Sequence, residues 1–214
     1  MLYASILCNN ASLERDKIIG DPTEGALLVF AEEHKINIEQ IRKNYPKLFE
    51  QPFDSMRKRM SSIHKLNSKF YVFTKGAPEE LLNGCSKVQI KEVKKGFTEE
   101  EKEKIRRQVA QLSSEGIRLL GFAYKTIEEI PQDELADVEN NLTFLGIVGM
   151  IDPPRKEAYE AIKFCHNAGI RVIMITGDHK LTATAIAKDL GIFKDGDRAM
   201  SGNELETLSE QELQ

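Results

Sequence analysis

Two apolar runs rich in β-branched residues, Phe144 to Ile151 and Ile170 to Ile175, constrain this chain more than any other feature. Neither alternates with polar residues as a half-wet sheet would, so both fit strands buried on two faces and paired in parallel. Between them, Arg155 to Asn167 places Ala158, Ala161, Ile162 and Cys165 at helical spacing, and Ala168-Gly169 closes that helix. The pattern predicts one β-α-β unit. Asp152-Pro153-Pro154 ends the first strand, because consecutive prolines fix φ and remove two donors, and Pro154 suits a first helical turn. The second strand runs into Thr176-Gly177-Asp178, a hydroxyl, a flexible glycine and a carboxylate where open α/β sheets bind ligands. The same three residues also make an ordinary turn. A further helix follows, with Leu181, Ala185 and Leu190 inward.

The rest of the composition narrows the partners. A formal charge of −4 over 214 residues leaves no global basic field, which argues against nucleic acid. Cys8, Cys85 and Cys165 lack C-x-x-C spacing and read as reduced thiols. The four histidines are scattered, so no His-based metal site is expected. No apolar run approaches the roughly 20 residues that span a bilayer, and no signal peptide opens the chain, so it is expected to be soluble.

Taken in order, Gly20 to Leu28 opens a helix: Asp21 can cap it, Pro22 suits its first turn, and Glu24 can reach back as in a capping box. Ala26, Leu27, Phe30 and Ala31 would face inward. His34 to Gln51 is too irregular for more than a surface helix or loop. Pro52 to Ser62 sets Phe53 beside three cations and leads into a strand from Ser61 to Leu66. An exposed aromatic there can stack on a base, for about 1–3 kcal/mol, and a lysine can meet phosphate. On the residues alone, an edge strand with a core Phe and solvated charges is the favoured reading. Lys69 to Lys75 is a strand that ends beside Gly76, which lets a ligand approach the backbone. A helix then runs to Asn83-Gly84. Val88 to Phe97 reads as a charged hairpin or loop, and Thr98 to Glu101 as a capping box opening an amphipathic helix with Ile105, Val109 and Leu112 inward. Ile117 to Tyr124 is a buried strand whose Arg118 needs a carboxylate or a phosphate. Ile127 to Asn141 is an acidic surface connection, and Ser201 begins a last helix.

The segments LGIVGMIDPPRKEA, AGIRVIMITGDHKLTATAIAKDLGI and KGAPE, in this order, resemble the P-type cation-transporting ATPases, nearest to the calcium-transporting type II subgroup. The opening MLYASILCNNASLE is similar to a segment early in that family's nucleotide-binding domain. The resemblance implies an α/β fold: an α+β nucleotide-binding domain with a mainly antiparallel sheet over 1–144, lacking its first strands, joined to a partial haloacid-dehalogenase-like Rossmann βαβ unit, the phosphorylation domain, over 145–214. Its hinge would lie near 150–155, at Asp152.

For the site, the resemblance implies that Phe53 stacks on adenine and Glu24 lies beside its amino group. Lys58 would face the triphosphate, Met60 line the pocket, Lys75 lie deep with Gly76 and Ala77 beside the base, and Arg118 contact the β-phosphate. Some of these pumps carry arginine where this chain has Ser55. Thr176 and Gly177 would hold phosphate oxygens, with Asp178 and Asp152 supporting nucleotide and hinge. The family's phosphorylated Asp-Lys-Thr-Gly-Thr is absent, since Asp16-Lys17 continues as Ile18-Ile19. The expectation is therefore a polypeptide that binds ATP without turning it over. Its parent would sit with this part on the cytoplasmic face of a membrane, use Mg²⁺, work with its own membrane and actuator domains and carry a cation, Ca²⁺ on the wording of the motifs. The alternatives are a haloacid-dehalogenase-like phosphatase, which needs an Asp-x-Asp, or a non-catalytic nucleotide-sensing module.

Overall fold

In chain order the computed structural model contains α1 (Leu2–Leu7), β1 (Ser12–Glu14), β2 (Lys17–Ile19), α2 (Pro22–Glu33), α3 (Ile38–Asn44), β3 (Lys47–Asp54), β4 (Arg59–Leu66), β5 (Lys69–Gly76) and α4 (Pro78–Gly84). There follow β6 (Cys85–Ile90), β7 (Val93–Gly96), α5 (Glu99–Ser114), β8 (Arg118–Ile127), β9 (Leu142–Met150), α6 (Lys156–Asn167), α7 (Lys180–Asp189) and α8 (Gly202–Glu206). The structure describes residues 1–14, 17–66, 68–130, 138–151, 154–176, 180–194 and 196–207. The chain divides into two compact units, Met1–Val109 with Leu119–Met150, and Ala110–Arg118 with Ile151–Gln214.

The first unit is built on a seven-stranded, mostly antiparallel sheet of order β3-β4-β5-β8-β9-β6-β7, in which β6 runs parallel to β9. Cross-strand partners share a face of a sheet. Met60 pairs with Lys75 and Lys75 with Phe122, so these three form one row on one face. That face is closed by the apolar sides of α1 and α2, with Ile6, Leu7, Leu27 and Leu28 packed into the same core as Phe73 and Phe122. The other face carries Ser61, Thr74 and Ala123, and there Leu81, Leu82, Cys85 and Phe144 make a second core with Ala123. Burying each of these leucines contributes about 1.5–3 kcal/mol.

Local signals hold at several helix ends. Asp21 accepts from the Thr23 and Glu24 amides, Thr98 and Glu101 close a capping box before α5, and α6 ends at Gly169 with φ +71°. The inward face of α2 is corrected by one position: Gly25, Leu27, Leu28 and Ala31 are buried while Ala26 is exposed. Gly25 explains the offset, since a Cβ there would stand 2.2 Å from the Ile18 side chain, so β2 lies against the helix at that residue. The stretch from His34 to Gln51, expected as a surface helix or loop, supplies the helix α3 and also the start of the edge strand β3.

The expected β-α-β unit is also corrected. Residues of its first strand lie in β9, between β8 and β6 of the large sheet, and Ile170 to Ile175 forms no strand. A strand exists through its ladder, and among the described residues none pairs with this run, which leaves Ile173 72% and Ile175 94% exposed. The second unit consists of helices, with Ile162 on α6 and Ala187 on α7 its buried apolar residues among those described. Tyr159 donates to the Asp189 carboxylate, and Lys180 to Glu204 at 2.8 Å. Among the described residues no helix is long and apolar enough to cross a membrane.

All three cysteines are free. Burial pushes the Cys8 thiol up to about 11 and the Cys85 thiol up to about 12, whereas Cys165 is half-buried. With an aromatic disulfide reagent at pH 8, Cys165 alone is expected to react in the folded protein, the other two following only on denaturation. Rapid reaction of Cys8 or Cys85 would contradict the packing described above.

Candidate functional site

The row Met60, Lys75 and Phe122 puts a cation inside an apolar layer, and such a charge needs a partner. Lys75 Nζ lies 2.6 Å from Glu24 Oε1, with the two side chains 6% and 14% exposed. Glu24 was expected to reach back to its own helix start. Instead its other oxygen accepts from the backbone amides of Asn10 at 2.7 Å and Ala11 at 3.0 Å, and Asp21 caps α2 alone. Asn9 locks this arrangement by donating to the carbonyls of Ser5 and Glu24 and accepting from the Ala11 amide. Asn10 extends it outward to Glu50, which in turn holds Lys47 at 2.6 Å. The chain of polar contacts therefore runs from a buried lysine to the surface. Beside it lies a cleft of about 250 Å³ lined by Leu7, Asn9, Asn10, Arg42, Tyr45 and Lys47, together with His64. None of the residues picked from sequence lines that cleft; it joins them through Asn10.

Phe53 reaches this face through a bulge. Gln51 pairs with Ser61 and Asp54 with Arg59, so Pro52 and Phe53 both stand opposite the single residue Met60. Proline has no amide to give to the ladder and suits this edge position. The consequence is an aromatic residue, 63% exposed, opposite Met60, which pairs on its other side with Lys75.

Lys58 sits at the tip of the β3–β4 turn with φ +51° and an exposed side chain. Its amide donates to the Asp54 carbonyl, and its own carbonyl accepts from Ala77 at 2.9 Å. Gly76 makes that approach possible, since a Cβ there would lie 2.5 Å from the Lys58 carbonyl oxygen. The glycine read as room for a ligand thus gives its room to the neighbouring strand.

Of the sequence-picked residues in the first unit, Glu24 lies on α2, Phe53 on β3, Met60 on β4, and Lys75 and Gly76 on β5, with Lys58 in the β3–β4 turn and Ala77 capping α4. Arg118 opens β8 ahead of the pairing with β5, which starts at Gly121, and belongs to the second unit. Thr176 is exposed in the second unit, and Asp152, Gly177 and Asp178 lie outside the described residues. Among the described residues, no three or more His, Cys, Asp or Glu side chains gather to hold a metal.

A cluster that sequence reading missed lies on the opposite face of β4. Glu139, expected on the surface, is 1% exposed. Its carboxylate accepts from Arg57 Nη1 at 2.6 and 2.7 Å, Arg59 Nε at 2.6 Å and Ser61 Oγ at 2.8 Å. Burial works to raise its pKa, and these hydrogen bonds outweigh that and hold it below the usual carboxylate range.

A mostly antiparallel sheet with helices packed on both faces and a buried lysine–glutamate pair near an exposed aromatic defines a mixed α/β module with a polar site. Residues 1–157 match the P-type ATPase family in its cytoplasmic domain N, and the chain belongs to that family. It is 41% identical over its whole length to calcium-transporting ATPase 1 of Lactococcus lactis and 40% identical to a calcium-transporting ATPase of Bacillus subtilis, covering 24% of each. Over 91% of the chain it is 36% identical to the sodium/potassium-transporting ATPase subunit alpha of Tetronarce californica, of which it covers 21%. The chain thus spans about a quarter of the length of the first two relatives.

Proposed function

We propose that the first unit binds ATP at the Phe53, Lys75 and Glu24 face, as the nucleotide-holding part of a P-type ATPase that couples ATP hydrolysis, through an aspartyl phosphate, to cation transport. The observation that carries this reading is Phe53, an exposed ring on a bulge at the rim of a buried ion pair. Aromatic rings in such positions stack on bases, and Glu24 and Lys75 supply an acceptor and a donor for the polar edge of adenine. Lys58, exposed on the adjoining turn, is the cation for the phosphates. Arg118, Thr176, Gly177, Asp178 and Asp152 enter only as the resemblance implies, for phosphate contact and for the passage between the units. Mg²⁺ would accompany the phosphates of ATP.

The transported ion in this reading is Ca²⁺, as the wording of the motifs suggests and as the relatives at 41% and 40% identity are named for calcium. The unit would work on the cytoplasmic face of a membrane with the membrane and actuator parts of the same protein. The chain has no Asp-Lys-Thr-Gly-Thr, so it is assigned nucleotide binding without turnover.

Titration with ATP, followed by amide shifts, is expected to move Glu24, Phe53, Lys58 and Lys75 as one set. Phe53→Ala should weaken binding by roughly 10- to 100-fold, the equivalent of one lost stacking contact. Unmoved signals at millimolar ATP would end the proposal.

A further inference from the structure

The Glu139 cluster is buried, charged and unused by the site just described, yet it holds the turn on which that site depends. Arg57 and Arg59 flank Lys58 in sequence, and both arginines donate to the one carboxylate. The turn is gripped from two further sides. Asp54 accepts from the amides of Met56 and Arg57, and Ala77 donates to the Lys58 carbonyl. Glu139 is itself fixed, because Gly84 at the end of α4 leaves room for its carbonyl, which would lie 2.7 Å from any Cβ there.

The carboxylate sits on the far face of β4 from Lys75, so it cannot touch a ligand beside Met60 and Phe53. Alternation along one strand links the two sides: Arg59 and Ser61 point to Glu139, and Met60 between them points to the candidate site. β9 begins three residues after Glu139 and ends at Met150, where the chain passes into the second unit.

We propose that Glu139 is a positioning residue: through Arg57 and Arg59 it sets the β3–β4 turn, and thereby Phe53 and Lys58, in the conformation that receives the base and phosphates of ATP. This rests on the reading of that face as an ATP site.

The test is an ATP titration of the 214-residue chain in four forms: unaltered, Glu139→Gln, Phe53→Ala and the double variant. Glutamine keeps the shape and removes the charge. Glu139→Gln is expected to weaken ATP binding about tenfold in the unaltered background and no more than about threefold beside Phe53→Ala, since neighbours acting through one element are not additive. A role confined to folding would give the same fold-loss in both backgrounds, and that result would overturn the proposal. So would unchanged affinity in a folded Glu139→Gln protein.

Should Glu139→Gln not fold, Arg57→Gln serves, because Arg57 is the more exposed arm and leaves Glu139 with Arg59 and Ser61. It is expected to weaken ATP binding about threefold, again with non-additivity against Phe53→Ala, and equal affinity would count against the proposal. Failure of the unaltered chain to bind ATP would instead remove the site reading itself, so the two failures are told apart.

Discussion

Phe122→Ala is expected to remove about 3–5 kcal/mol of folding stability from the first unit, the usual cost of emptying a large aromatic from a closed core. Phe122 is fully buried, sits in mid-sheet on β8 opposite Lys75, and packs in the cluster that joins α1, α2 and the sheet. The row it belongs to leaves little scope for collapse, since its neighbour Lys75 is held by Glu24 and cannot slide into the void. Because the chain has two units, a single two-state fit is unsafe. The measurement should follow the first unit alone, through the amide signals of Leu27, Ile63 and Val72 in urea. A loss below about 1 kcal/mol would mean that helices and sheet do not share the core described here.

Much of that core was legible from local pattern, and the limits of legibility have physical causes. β4 and β5 are buried on both faces for most of their length, because one face meets α1 and α2 and the other meets α4 and the Glu139 segment. β3 was missed because it is an edge strand broken by a bulge, with six of its eight residues exposed. Periodicity cannot report a strand whose two faces are both wet. The apolar run at Ile170 to Ile175 is the reverse case: its composition demands a sheet, but composition does not supply the neighbour that a ladder needs.

At the candidate site, the local signal at Glu24 was a capping box within four residues, while its partner is Lys75, 51 residues away. A buried cation without a carboxylate costs more than one unmet helix amide, so the distant contact took the side chain and Asp21 was left to cap. Glu139 was illegible for the same reason. It lies in an acidic stretch that reads as solvated, and its arginines are 80 and 82 residues distant. The resemblance to P-type ATPases named Phe53, Lys58 and Lys75 together, where residue chemistry alone favoured edge strands with solvated charges. It did not foresee that Gly76 serves the strand beside it.

Lys75→Met separates the structural and binding roles of the buried pair. The substitution keeps the length and apolar stem of the side chain but leaves the Glu24 carboxylate, 14% exposed, without its cation. Breaking a buried pair from one side costs about 3–5 kcal/mol. Glu24 keeps the amides of Asn10 and Ala11, so the loss is expected somewhat below that range, about 2–3 kcal/mol once those hydrogen bonds are counted. Adding Glu24→Gln removes the stranded charge and should recover part of that stability, because both amides donate to one oxygen of Glu24 and the glutamine carbonyl oxygen can still accept from them. Nucleotide binding should not recover with it. On the proposed reading, ATP needs the ammonium itself, and both Lys75→Met proteins should bind at least tenfold more weakly than the unaltered chain, the effect of one lost charge-assisted contact. Stability that returns while affinity stays low would identify Lys75 as a ligand contact as well as a core cation. Undiminished ATP affinity in Lys75→Met would show that this lysine is in the interior only to hold α2 and the Asn9 to Ala11 turn against the sheet.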